Sequence, residues 1–158
     1  LSSILLFLTF WTILFTGRYP RAWFDTQLGL LNWNARFTAS IFNCIDGYPA
    51  FGLSAGHPCV HLDIPYPEAV SRSHTFIVGL FGPILLIPHL FILSVRNLLV
   101  LFLNLLAFWS ILFTKRYPKS WFDWFVEQMR WGMRINAYIY FMTPDYPPFT
   151  GKEVQIMH

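Results

Sequence analysis

Few side chains in this sequence are of a type and spacing that suit chemistry, and they fall into three groups. His89 stands within residues 76–113, a run of 38 whose only formal charge is Arg96. An ionisable ring inside such a run is the kind of group that relays protons or holds a ligand at membrane depth. The competing reading is structural. Pro83 and Pro88 each remove a backbone donor, and a nearby histidine can serve the polar groups left at the kinks; this reading is preferred. The second group is His57, Cys59, His61 and Asp63, which share one side of an extended strand and are metal-capable types. Zinc sites usually pair their ligands as CxxC or HxxxH, and no second pair exists here, so a polar strand face is expected and no metal. The third group is Asp123, Glu127, Arg130 and Arg134, at i, i+4, i+7 and i+11 on one stripe of a helix. Such a stripe can be an acid–base set, but is more often solvated or self-paired, as Glu127 and Arg130 would be at i,i+3. Its basic half, with Lys115, Arg116 and Lys119, suits anionic lipid headgroups.

Phosphate-cradling glycine loops, serine-nucleophile elbows, haem-ligand pairs and HExxH helices are missing from the sequence. No catalytic residue and no cofactor is therefore assigned, and the protein is expected not to be an enzyme. Cys44 and Cys59 are expected to stay reduced.

The elements that must position these groups belong in a membrane. The chain is 55% hydrophobic, 20% aromatic and 12% charged, against about 25% charged residues in a typical soluble domain. Seventeen Phe and seven Trp fit a chain that meets lipid and anchors at its interface. The net charge of +3 is too small to suggest nucleic acid.

The sequence also repeats itself. Residues 11–51 align with 109–149 at a constant offset of 98, without a gap and with 18 of 41 positions identical. Trp11…Arg18-Tyr19-Pro20…Trp23-Phe24-Asp25 returns as Trp109…Arg116-Tyr117-Pro118…Trp121-Phe122-Asp123. Trp33, Arg36, Tyr48, Pro49 and Phe51 return as Trp131, Arg134, Tyr146, Pro147 and Phe149. A gapless duplication makes each copy one structural unit. The expected fold is all-α: tandem parallel repeats of transmembrane helices, each followed by an interfacial amphipathic helix. The first repeat covers 1–53, truncated to one span and its amphipathic helix, with the equivalent of helix 75–95 expected upstream of Leu1. A cytoplasmic linker occupies 54–73, with a short strand at Val60-His61-Leu62-Asp63-Ile64 and a similar pattern at Val154–His158. The second repeat covers 74–158.

Residues 76–113 are too long for one crossing as a single helix, so a hairpin is expected, 75–95 and 97–114, turning at Arg96-Asn97. That turn would bring His89 and Asn104 to one depth, where two polar side chains in hydrocarbon pair. A third helix follows from Ser120 to Met142. Arg18, Arg21, Lys115, Arg116 and Lys119 follow the spans and put both Arg-Tyr-Pro loops in the cytoplasm, which favours amphipathic helices lying flat and repeats running parallel.

By these residues the chain resembles an uncharacterised bacterial integral-membrane family, domain of unknown function 4389. The resemblance rests on Arg18-Tyr19-Pro20, on Arg130-Trp131…Arg134…Ala137-Tyr138 and on Asp145-Tyr146-Pro147-Pro148-Phe149. Val60…Asp63-Ile64…Tyr66-Pro67-Glu68…Ser71-Arg72 and Ile87-Pro88-His89 are similar to the start of the family's repeat. Asn32, Ser40 and Ala50 depart from the pattern in the first copy. The resemblance implies a bacterial inner membrane location and offers no established activity to carry over.

The residues expected to contact the interface or partners are Arg18, Tyr19, Pro20, Asp25, Arg36, Arg116, Tyr117, Pro118, Asp123, Glu127, Arg130, Arg134, Tyr146, Pro147, Pro148 and Phe149. The expected function is non-catalytic: anchoring, scaffolding or stabilising a larger membrane assembly, with the lipid bilayer, anionic headgroups and other membrane subunits as partners. A small repeat-built transporter or channel and a membrane enzyme acting on lipid are the alternatives.

Overall fold

The computed structural model describes residues 2–45, 52, 53, 58 and 60–152. Five α-helices occupy them: α1 Ser2–Thr16, α2 Arg21–Ile41, α3 Arg72–Leu85, α4 Ile87–Thr114 and α5 Lys119–Ile139. Tyr48, Pro49, Ala50, Phe51, His57, Cys59 and the tail 154–158 lie outside the described residues, and with them half of the metal-capable group and the second strand pattern.

The expected hairpin does not form. Helix α4 runs through Arg96 and Asn97 without a break. The only interruption is at Leu86, between Pro83 and Pro88, and it is a bend, not a turn. Leu86 keeps right-handed helical geometry, donates to the Gly82 carbonyl at 3.0 Å and accepts from the Leu90 amide at 2.8 Å. Each proline costs the ladder one donor without reversing the chain. Polarity at Arg96-Asn97 has another cause: these two side chains receive α5.

Direction follows from the contacts. Gly17 at the end of α1 meets Arg72 at the start of α3, and Phe10 lies over Gly79. Helix α1 is therefore antiparallel to α3 and to α4, which continues it. Helix α5 returns along α4, with Trp131 at His89 and Gln128 at Arg96. Helices α2 and α5 meet where the end of one reaches the start of the other: the Phe42 and Phe125 rings stack with centroids 5.4 Å apart, and the Tyr117 hydroxyl donates to the Phe42 carbonyl. The parallel arrangement is thus corrected. The segments 11–16 and 109–114 run in opposite directions, and the two Arg-Tyr-Pro loops stand at opposite ends of the helical body.

Correspondence at offset 98 nevertheless reaches single atoms. Helices α2 and α5 have bounds that differ by 98 at both ends. Gly17 and Lys115 are both left-handed, as are Asn43 and Phe141. The Thr16 and Thr114 hydroxyls donate back to Thr12 and Ser110 at 2.7 and 2.6 Å. Pro20 and Pro118, not Ser120, stand at the N-caps, in extended geometry with ψ 124° and 122°. Arg36 donates to the Gly52 carbonyl at 2.8 Å and Arg134 to the Thr150 carbonyl at 2.7 Å. One contact is reciprocal. Gly29 makes room on α2 for Leu53, whereas Gly151 makes room in the tail for the α5 backbone at Glu127. Both glycines serve the same helix–tail crossing from opposite sides.

Among the described residues there is no β-strand. Residues 60–64 are extended and alternate as expected, with Val60, Leu62 and Ile64 packed on the core and His61 and Asp63 exposed. The sheet partner is replaced by one side chain. Asn32 accepts from the Leu62 amide at 2.7 Å and donates to its carbonyl at 2.9 Å. A primary amide offers a peptide the same donor–acceptor pair as a neighbouring strand. Asn32, where the other segment has Arg130, is therefore what pins the linker.

A Cβ on Gly151 would sit 1.6 Å from the Glu127 carbonyl oxygen, while one on Gly132 would meet nothing within 4 Å. Gly151→Ala is expected to lose at least the ~1–3 kcal/mol of an overpacked site. Gly132→Ala, inside α5, should be neutral or gain roughly 0.5–1 kcal/mol. Unfolding midpoints of the two variants in detergent check this ordering.

Candidate functional site: the polar seam between α4 and α5

Helix α5 buries Phe125, Gln128, Trp131, Met133, Ile135, Ala137 and Tyr138. Two of these, Gln128 and Trp131, are polar hooks into the apolar α4. Arg96 donates from Nε to Gln128 Oε1 at 2.6 Å, and Gln128 Nε2 donates to Asn97 Oδ1 at 3.0 Å. The Arg96 guanidinium also lies 4.5 Å from the Trp124 ring centroid and 5.7 Å from that of Trp131. About two turns back along α4, Trp131 Nε1 donates to His89 Nδ1 at 3.0 Å. His89 is 0% exposed.

The tail closes this seam. The Phe149 ring stacks on His89 with centroids 3.8 Å apart and planes within 8°, and Tyr146 meets the imidazole edge-on at 5.1 Å. The Tyr146 hydroxyl donates to the Leu85 carbonyl at 2.8 Å, at the bend. Arg134 then clamps the tail through the Thr150 and Lys152 carbonyls, both at 2.7 Å. His89, Trp131, Tyr146 and Phe149 thus form one aromatic cage. With Nδ1 accepting, the neutral tautomer carries its proton on Nε2, which is buried without a partner.

His89 and Asn104 do not pair. They lie on one face-to-face run of the same unbroken helix, 15 residues and about 22 Å apart, and Asn104 Oδ1 is buried without a partner. The polar groups at the proline bend are served by Tyr146 rather than by His89.

The expected charge stripe divides. Asp123 pairs with Lys119 at 2.8 Å on the open surface. Glu127 lies beneath Gly151, and Arg134 is turned onto the tail. Arg130 is exposed and has an interaction of its own. At the other end, Arg36 is 2% exposed, with Nε lacking a partner. Arg18, Asp25 and Arg116 are exposed, as are Pro148 and Phe149, while Pro147 is buried and Pro20 and Pro118 are half-buried. Tyr19 is buried, accepts from the Tyr66 hydroxyl at its carbonyl, and has its own phenol pushed up to about 12 by desolvation. Burial likewise raises Tyr117 and takes the Cys44 thiol to about 11, which leaves Cys44 a poor nucleophile at neutral pH. Among the described residues no three His, Cys, Asp or Glu side chains gather into a metal site.

Gln27 and Gln128 were not among the residues singled out by sequence, and Asn32 stood out only as a departure from the repeat pattern, although each makes a contact that fixes one element on another. The available signal was their position on the buried side of an otherwise amphipathic helix.

Residues 80–151 match the family model of the domain of unknown function DUF4389. The match runs from the second half of α3 to the Arg134 clamp and takes in the whole seam. No curated protein and no solved structure matches the chain.

Removing the indole donor leaves buried His89 Nδ1 unsatisfied, at about 1–3 kcal/mol. Trp131→Phe and His89→Leu should each destabilise, and the double variant should fall short of their sum by roughly 0.5–3 kcal/mol. A double-mutant cycle of chemical unfolding reads this coupling; strict additivity would deny that the two rings act as one unit.

Proposed function

We propose that this chain is a non-catalytic integral membrane protein that anchors or scaffolds a larger membrane assembly, built from two related units in opposite orientation. The observation that carries the reading is the contrast between the two sides of α4. His89, Arg96 and Asn97 are held by α5, whereas most of this apolar helix is left uncovered by the rest of the protein. The core helix of a water-soluble domain would be mostly covered. Leu98, Leu101, Phe102, Leu105, Leu106, Trp109 and Phe113 instead remain open, and α4, about 42 Å long, is long and apolar enough to cross a bilayer.

The seam supports scaffolding over catalysis, because its hydrogen-bonding groups are largely engaged with one another and no nucleophile stands beside a base. Transport through the body would require polar groups converging on a path, and the seam polar groups converge on each other. The exposed basic cluster Lys115, Arg116 and Lys119 supports a cytoplasmic loop two in a bacterial inner membrane by the positive-inside rule and suits contact with anionic headgroups. With α1 opposed to α4, loop one then falls on the far side. An impermeant maleimide applied to intact cells should label a cysteine at Arg18 and spare one at Lys119. Equal labelling of both positions would overturn the opposed arrangement across the membrane.

A further inference from the structure

Arg96 is the one formal charge in the apolar run 76–113, and α5 orients it without neutralising it. Gln128 Oε1 takes its Nε at 2.6 Å, and the Trp124 and Trp131 ring centroids lie 4.5 and 5.7 Å from its central carbon. Among the described residues the only ion pair is Lys119–Asp123, so no carboxylate meets this guanidinium. Its two terminal nitrogens bond to no described residue, and neither is buried without a partner, so that edge reaches the surface. Asn97 is exposed; its amide oxygen is taken by Gln128 at 3.0 Å, and its amide nitrogen is left unengaged. A planar cation gripped at Nε, with its far edge open, has the geometry for two parallel bonds to one oxyanion. A neutral glutamine where a carboxylate would complete an ion pair leaves the charge available to such a ligand.

Depth points the same way. Arg96 stands 19 residues before Lys115, about 28 Å of helix, close to the roughly 30 Å of a hydrocarbon core. It stands 24 residues after Arg72, no more than about 36 Å along the bent rod. Whichever basic end sits at an interface, Arg96 falls near the other. Trp124, half-buried beside it, is of the type that gathers at headgroup depth. We propose that Arg96, with Asn97, is a binding site for a phosphate group, supplied in the membrane by the headgroup of an anionic phospholipid in the leaflet opposite loop two. This rests on the membrane reading above. It differs from the attraction of Lys115, Arg116 and Lys119 to a charged surface, because the Arg96 guanidinium is held in one orientation. The site is complete within α4 and α5. The first unit has no counterpart, since Leu30 and Thr26 stand where Gln128 and Trp124 would be.

Native mass spectrometry of the whole chain, released from detergent with phosphatidylglycerol or phosphatidylcholine, ranks the lipids it retains. The first phosphatidylglycerol should bind more tightly than the next and more tightly than phosphatidylcholine. Arg96→Gln should weaken that first binding at least about 10-fold, through loss of a charge-assisted bidentate contact. Gln128→Glu keeps an acceptor for Nε and supplies the missing carboxylate, so it should fold and yet weaken the lipid as much. Arg96→Lys should restore only part of the affinity, because an ammonium cannot make the two parallel bonds. Millimolar inorganic phosphate separates the sources: a first lipid that it leaves in place identifies the headgroup as the ligand, and one that it displaces identifies a soluble phosphate at the same site. First-lipid affinity unchanged in both Arg96→Gln and Gln128→Glu, or equal for the two lipids, would overturn the proposal while leaving the membrane reading in place. Failure of the chain to float with vesicles of these lipids would overturn the membrane reading, and this proposal with it.

Discussion

The Gln128 amide is the pin on which the second half of the molecule turns. It accepts from Arg96 and donates to Asn97, two of the few polar side chains on a mostly apolar helix. Apolar contact alone gives an exposed aliphatic helix little preference for one angle or register over another, particularly where lipid tails are as apolar as leucine. A bidentate amide supplies that register. Trp131 on His89 fixes it a second time, so α5 cannot rotate or slide without unpairing a buried group at either point.

Everything C-terminal to α5 then has a place to go. The tail reaches His89 through Phe149 and the proline bend through Tyr146, and Arg134 holds it by two carbonyls. Gly151 permits the close crossing at Glu127. The other unit solves the same problem differently. Asn32 takes the position of Arg130 and binds the linker backbone, Arg36 keeps the clamp on Gly52, and the glycine moves from tail to helix as Gly29. Substitutions that read in the sequence as erosion of a pattern are exchanges of one contact for another.

What could be read beforehand and what could not divide along physical lines. The constant offset of 98 and the Arg-Tyr-Pro loops place both amphipathic helices, because a proline preceded by a left-handed residue stops one helix and starts the next by local geometry. The alternation at 60–64 gives the correct facing, yet not a strand, because whether an extended segment pairs with backbone or with Asn32 is decided by distant residues. Arg96-Asn97 was misread as a turn: a polar pair in an apolar run looks the same whether water or another helix receives it. The parallel orientation failed with it, since removing that turn reverses the direction of everything that follows. His89, Trp131, Tyr146 and Phe149 were each visible as separate motif residues. Their meeting in one cage was not, because it depends on where the tail returns.

The central claim is that α4 is fastened to α5 on one side and bare to lipid on the other. Spin labels at Leu98, Leu101, Leu105 and Leu112 in bilayer-reconstituted protein test it most directly, by comparing collision with oxygen, which concentrates in hydrocarbon, against collision with a water-soluble nickel chelate. All four labels should be reached by oxygen and shielded from nickel, with the greatest contrast in the middle of the helix. Nickel access at all four positions would contradict the claim.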